Sequence, residues 1–404
     1  MNSNPSTNPA IESITAVLVD LPTIRAHKLA MTTMMQQTLV IVSLTCSDGI
    51  TGIGEATTIG GLAYGDQSPE SIKSAIDTYL APLLLGHDAT NIAKAMKRIA
   101  ASVQGNSFAK SAIETALLDA HGQRLGLPVH ALLGGAVRDA LPVLWTLASG
   151  DAARDVDEAL ALIESRRHKV FKLKIGSHPL AEDIAHVQAI RRGLGNEVML
   201  TVDVNQAWDE PTAVRGIAAL EAAGVALIEQ PVARRNRRAL RRLAQRFDVA
   251  LMADESVHDA IDAFDLAAEG AADVYALKIS QAGGLWPTLR AAAVADAAGV
   301  GIYGGTLLEG SVGSMAAAHV FAACPTLAWG TELFGPLLLE DDIVVQRPEY
   351  RDFELQLPQV PGLGVQLDPD KLAFYRRDRA SHTVATTAAT TAAITTATTT
   401  AITA

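Results

Sequence analysis

Four short apolar runs of this 404-residue chain end in a residue able to do chemistry, at nearly even intervals. TVDVN carries Asp203, VALIEQP carries Glu229, VALMADES carries Asp254 and VYALKIS carries Lys278, at steps of 26, 25 and 24 residues. Such a step is too long for a hairpin and suits one strand plus one helix. It predicts three carboxylates and a lysine at the same end of consecutive parallel strands. Carboxylates gathered around one point repel each other unless a cation sits among them. An all-oxygen ligand set selects Mg²⁺ or Mn²⁺ over zinc. A single acid at a strand end reads equally well as the N-cap of the following helix; three in register favour the metal. Asn205 shares a strand face with Asp203 and so faces the same pocket, whereas Glu255, beside Asp254, points away or supports it from behind.

The lysines come next. Lys172 and Lys174 lie two apart in VFKLKIG and face the same side of a strand whose other residues are apolar, which makes an exposed edge the weaker reading. Desolvation and a neighbouring cation lower an amine's pKa. A lysine brought to about 7–8 exchanges a proton at working pH. Glu332, in GTELFG, is expected to face these lysines across the fold, with a plain ion-pair role as the alternative.

The elements that must position these groups alternate. From about Leu141, candidate strands PVLWTLAS, VFKLKIG, VMLTVDVN, VALIEQP, VALMADE, VYALKIS, VGIYGG and LAWGTELFG are separated mostly by amphipathic helices. In one of these helices Leu180, Ile184, Val187, Ile190 and Leu194 share a face. Eight parallel strands with intervening helices most simply close into a (β/α)8-type TIM barrel, with active residues at the C-terminal strand ends. Residues 11–137 read differently: strands first, two of them joined by the turn Ser47-Asp48-Gly49, then helices. One of those helices has Ser107 as candidate N-cap and Gly126 as stop. This predicts an α+β module of 11–137, a barrel of 138–345 and a Pro-punctuated segment of 346–378 returning to the first module. Residues 1–10 read as a disordered N-terminus. Residues 379–404 read as a disordered or read-through Thr/Ala tail, mildly aggregation-prone and without assigned function.

Bulk properties narrow the partners. Net charge is −11, which disfavours nucleic acid and anionic membranes. The basic run Arg234–Arg242 reads as a solvated helix face. Cys46 and Cys324 lack metal-ligand spacing and read as buried reduced thiols. The polar N-terminus has no apolar signal core, and no apolar stretch is long enough to span a bilayer. A cytoplasmic protein acting on a small molecule is the expectation.

The stretches GEATTIGGLAYG, FKLKIG, VDVNQ, LIEQP, MADES, ALKI, GIYGGTLLEGS and WGTELFGPLLL together resemble the muconate-lactonizing subgroup of the enolase superfamily, over about residues 12 to 378. Within that subgroup GEATTIGGLAYG points to the cycloisomerases. The resemblance implies a modified (β/α)7β barrel with an N-terminal α+β capping domain. It implies Mn²⁺ or Mg²⁺ held by Asp203, Glu229 and Asp254, with Lys174 as acid/base and Lys172 as its electrostatic partner. Lys278 is implied on the opposite face and Glu332 near the substrate. Ile59 and Tyr64, in the capping loop, are implied to close over the pocket, with Phe334 and Asn205 as further contacts. The implied reaction interconverts cis,cis-muconate and muconolactone through an enolate, in aromatic catabolism. The implied assembly is a homo-oligomer, octameric in close relatives. A chloromuconate cycloisomerase shares the scaffold and the chemistry and remains the alternative, with the loop Ile59 to Tyr64 favouring the non-chlorinated enzyme by resemblance; a non-catalytic binding barrel is a remote one. A mandelate-racemase-like enzyme would need a His near the end of GIYGGT, where none stands, and dipeptide epimerases carry Asp-x-Asp where this chain has TELFG.

Overall fold

The computed structural model describes residues 8–29 and 31–377. The Thr/Ala tail lies outside the described residues, as do residues 1–7. Residues 8–10 depart from the expected disorder: the Asn8 amide donates to Asp88 and the Ala10 N–H to the Ser47 hydroxyl.

The chain begins with an antiparallel meander of β1 (Ile11–Lys28), β2 (Thr33–Cys46) and β3 (Thr51–Thr57). The predicted turn holds: the Cys46 N–H donates to the Ile50 carbonyl, with Gly49 at φ +82°. Helix Ser107–Leu125 lies against β3. Its cap differs from expectation, because Asn106, in the left-handed region at φ 55°, occupies the N-cap position and Ser107 is the first helical residue. Gly126 ends the helix in the left-handed region, as expected.

β3 meets this helix at a distance only glycine permits. A Cβ added to Gly54 would lie 2.0 Å from the Ala112 carbonyl oxygen, a backbone atom that cannot rotate away. Gly54→Ala is therefore expected to cost about 3 kcal/mol by forcing strand and helix apart. A urea melt checks this; an unchanged midpoint would contradict the packing described.

The second unit is a curled seven-stranded sheet in the order of the chain. It comprises, after the short β4 (Ala140–Pro142), β5 (Trp145–Leu147), β6 (Val170–Lys174), β7 (Met199–Asp203), β8 (Leu227–Glu229), β9 (Ala250–Ala253), β10 (Val274–Leu277) and β11 (Gly301–Gly304). All seven pair in parallel. Their residues are nearly all buried, since the barrel interior covers one face and the helices the other. The predicted helix appears as Leu180–Leu194, with Val187, Ile190 and Leu194 buried.

Two strand expectations need correction. PVLWTLAS divides: β4 leaves the barrel and pairs with β13 (Glu354–Gln356), which pairs with β12 (Tyr350–Arg351). The expected eighth strand, LAWGTELFG, shrinks to a bridge. Thr331 pairs in parallel with Val143 on one side and Gly304 on the other, and so closes the ring between its two edge strands. Gly330 at φ +67° and a short helix Gly335–Leu338 starting two residues after Leu333 leave no room for a longer strand. The modified (β/α)7β barrel is the architecture observed.

After the barrel the chain returns to the meander. Helix Pro369–Tyr375 packs on β1, the Arg377 N–H donates to the Leu18 carbonyl, and the Arg377 guanidinium pairs with Asp20 and Glu70. Cys46 and Cys324 are buried and free. Helix Arg237–Ala244 exposes Arg238, Arg241 and Arg242, the last paired with Glu210. Among the described residues no helix is long and apolar enough to cross a membrane.

Candidate active site

Strand register brings the charged residues together. Lys174 stands beside Asp203 across β6 and β7, and Asp203 beside Glu229 across β7 and β8. Asp254 follows the last residue of β9, and Lys278 the last residue of β10. None of the three acids caps a helix. That role falls to Asp209, Asn236 and Asp259, whose side chains accept from the first-turn N–H groups of the three following helices. The helix-capping alternative for Asp203, Glu229 and Asp254 is thereby removed.

Each acid faces a lysine. Lys174 Nζ lies 2.5 Å from Asp203 Oδ2, and Lys278 Nζ lies 2.5 Å and 2.7 Å from the two Asp254 oxygens. Lys172 Nζ lies between Glu229, at 2.6 Å, and Glu332, at 2.7 Å. All these carboxylates are buried. Tyr303 also donates to Glu332.

These pairs correct one expectation. Burial pushes the Lys174 amine down, but the Asp203 carboxylate more than offsets that and raises it above its ordinary value. Burial likewise opposes, and Asp254 reverses, the shift of Lys278. Lys172 rises well above its ordinary value against burial because Glu229 and Glu332 hold its charge. No lysine is tuned toward neutrality in this arrangement, since each has a carboxylate of its own. The acids show the complementary tension. Burial and the neighbouring Asp203 push the Glu229 carboxyl well up, despite Lys172. Burial would raise Asp254 too, but Lys278 holds it below its ordinary value.

Above the acids lies the loop between β3 and the first helix. Gly60 and Gly61, both at positive φ, turn it so that Ile59 is buried and Tyr64 reaches the barrel. Tyr64 OH donates to Asp254 Oδ2 at 2.9 Å and accepts from Lys278 Nζ at 2.6 Å. Asn205 Nδ2 donates to Asp203, and the Asn205 N–H to the other oxygen of the same acid. Ile59, Tyr64 and Asn205 line one cavity with Lys174, Lys278, Glu332 and the three acids. That cavity holds only about 10 Å³, room for about one water. Two expected residues stand back from it. Lys172 is sealed beneath, and Phe334 lies in a second layer, its ring 5.0 Å from that of Trp145 and 6.5 Å from that of His27.

Two residues here, Gln230 and His27, went unmarked in the sequence, and a third, Glu255, had two alternatives that the structure decides between. Gln230, at φ +36°, accepts from the Asp254 and Ser256 N–H groups and so fixes the segment bearing the third acid. Its position directly after Glu229 was the available signal. Glu255 takes the second of its two expected places, behind Asp254: it is buried, receives Asn205 Nδ2 at 3.4 Å, and is raised to about 8 by burial and by Asp254 and Asp203. His27, on β1, is buried and lines the same cavity.

The donor set suits a hard divalent cation. It is all oxygen, and two buried oxygens at its edge, Asn205 Oδ1 and Glu255 Oε2, have no partner. As the side chains stand, no three His, Cys, Asp or Glu groups among the described residues converge on one point, and each of the three acids lies against a lysine. Asp203, Glu229 and Asp254 are the residues that would hold such a cation.

Family comparison agrees with this arrangement. Residues 13–134 match the mandelate racemase/muconate lactonizing enzyme N-terminal domain, and residues 154–371 match the enolase C-terminal domain-like family. The chain belongs to the mandelate racemase/muconate lactonizing enzyme family. Members of this enolase-superfamily fold use a divalent metal ion. Among its relatives, muconate cycloisomerase 1 of Pseudomonas putida is 58% identical over 92% of this chain and 100% of its own. A chloromuconate cycloisomerase of Delftia acidovorans is 47% identical over 91% of this chain and 99% of its own. The crystal structure of muconate lactonizing enzyme from Pseudomonas fluorescens complexed with muconolactone superposes with a TM-score of 0.91. It is 58% identical and covers 92% of this chain and 100% of that one. His319, downstream of GIYGGT, sits inside helix Ser311–Ala323, stacked on His130.

Proposed function

We propose that the chain is a muconate cycloisomerase, a metal-dependent enzyme that interconverts cis,cis-muconate and muconolactone. One observation carries the reading: Lys174 and Lys278 enter a single cavity from either side of three acid-bearing strand ends. In the forward reaction one carboxylate oxygen of muconate adds to the double bond conjugated with the other carboxylate. A C–O bond forms, and the displaced electron pair passes to the α-carbon and its carboxylate as an enolate. A divalent cation held by Asp203, Glu229 and Asp254 supplies positive charge where that negative charge develops. Lys174 gives its proton to the α-carbon, completing the lactone; in reverse it removes that proton. Lys172, fixed by two carboxylates, keeps its charge beneath the site and favours the enolate. Lys278 supports the opposite face, and Glu332 holds Lys172 in place. Ile59 and Tyr64 close the cavity and exclude water, so the enolate is protonated by the lysine rather than by solvent.

Mn²⁺ is the cation we favour, with Mg²⁺ the alternative. Two buried free thiols support a cytoplasmic location. Exposed Ile261 and Phe264 on one helix and Trp286 on its neighbour support a homo-oligomer, and we favour an octamer. The folding units we favour are a capping domain of 11–137, a barrel of 138–345 and a returning segment of 346–378. Turnover of cis,cis-muconate against 3-chloromuconate tests the choice of substrate. The higher identity to the non-chlorinated enzyme leads us to expect kcat/KM at least about tenfold higher on muconate, since a pocket that must exclude or accept one added atom discriminates by roughly 10–200-fold. Preference for the chlorinated acid would replace this reading by the chloromuconate one.

A further inference from the structure

The space of about 10 Å³ is too small for a dicarboxylate, so the capping loop and its neighbours must shift to admit one, and the charged groups at hand account for only one end of that substrate. The strand-end acids with their cation would take one carboxylate, Lys278 is engaged by Asp254 and Tyr64, and Lys174 must stay free to deliver a proton. The neutral polar groups of the wall are nearly all engaged already. Tyr64 OH donates to Asp254 and accepts from Lys278 and Gln281. The Thr306 hydroxyl donates to Glu309 and accepts from the Leu308 N–H. Asn205 uses its amide N–H groups on Asp203 and Glu255, and its free oxygen would repel a carboxylate. His27 is different. It is 1% exposed, it lines this cavity, and its Nδ1 has no hydrogen-bond partner. A buried donor or acceptor left unmatched in a native protein calls for an explanation, and a ligand that completes it is the simplest.

We propose that His27 binds the second carboxylate of the dicarboxylate substrate through an Nδ1–H hydrogen bond, fixing the end of the molecule that closes the lactone. The inference rests on the muconate reading above. The placement of His27 suits this role, because β1 carries the imidazole over the barrel mouth, and the Phe334 ring, backed by Trp145, braces it from behind. Burial, with the charges of Lys174 and Arg25, pushes the imidazole down to about 3, so it is neutral at working pH. A neutral donor orients a carboxylate without adding a third positive charge beside Lys174 and without neutralising the attacking oxygen by proton transfer. The signal in sequence is faint, because a single His in a strand has no periodic partner.

Binding to the metal-loaded protein tests this without relying on turnover. Two probes suffice: adipate, a saturated six-carbon dicarboxylate, and hexanoate, its monocarboxylate counterpart. The chain as it stands is expected to bind adipate more tightly than hexanoate. His27→Leu should weaken adipate about 10- to 100-fold, the range of a hydrogen bond to a charged group, and leave hexanoate within about twofold. His27→Asn, whose amide nitrogen sits near the place of Nδ1, should recover most of the adipate affinity. Undiminished adipate binding by His27→Leu overturns the proposal. So does an equal loss of both probes that His27→Asn does not recover, which would mark a purely structural role. Failure of the unaltered chain to turn over muconate would instead sink the functional reading, and this inference with it.

Discussion

Lys174→Ala is expected to lower muconate turnover by roughly 10⁴-fold, the upper range for a positioned proton donor. Access and geometry single out this amine. Lys174 is the cavity-lining lysine on β6, whereas Lys172, two residues earlier, is sealed below by Glu229 and Glu332 and cannot reach the substrate without breaking two buried ion pairs. The other proton donors of the cavity are engaged: the Tyr64 hydroxyl is tied to Asp254 and Lys278, and the Lys278 amine to both Asp254 oxygens. The fold should survive. Lys174 contributes one side-chain partner, Asp203, which retains the Asn205 N–H and amide as hydrogen-bond donors. Circular dichroism and metal binding should therefore match the parent while turnover collapses. Activity within about tenfold of the parent would remove Lys174 from the proton-transfer role.

Asp203→Asn should weaken Mn²⁺ binding by at least about 100-fold, since even the loss of a group supporting a metal ligand costs roughly 10- to 100-fold. The physical reason is twofold. One negative charge leaves the ligand set, and the new amide nitrogen faces donors on every side. Lys174 Nζ, the Asn205 N–H and the Asn205 amide all point at the present carboxylate oxygens. An amide satisfies at most one side of that arrangement with its single oxygen. Activity should fall most at low metal and recover in part as metal is raised. A titration superimposable on that of the parent would exclude Asp203 as a ligand.

Much of the site was legible because parallel β/α units space equivalent positions evenly. The run from Asp203 to Lys278 marks strand ends directly, and the register of β6 to β8 places Lys174, Asp203 and Glu229 side by side as that spacing required. Charge balance was less legible. Three lysines and three acids suggested amines driven toward neutrality, but pairing in space decides the sign, and each lysine lies against a carboxylate. The eighth strand failed as a strand because register cannot be read through Gly330 and the helix beginning at Gly335; what remains is the ring-closing bridge at Thr331. Asn106 displaced Ser107 as N-cap because asparagine tolerates the left-handed backbone this turn adopts. Gln230 and His27 show the deeper limit. Their roles come from contacts between separate segments of the chain; the position of Gln230 directly after Glu229 is the one local signal, and His27 has no periodic partner.

The central claim is that the three strand-end acids and their lysines form a metal-dependent lactonizing site. Chelating the purified protein, then adding Mn²⁺ back while following the ultraviolet absorbance of cis,cis-muconate, tests it most directly. The expected result is no change in absorbance after chelation and a restored decline on adding metal, with muconolactone as product. Conversion at full rate in the chelated protein, or no conversion after metal is returned, would contradict it.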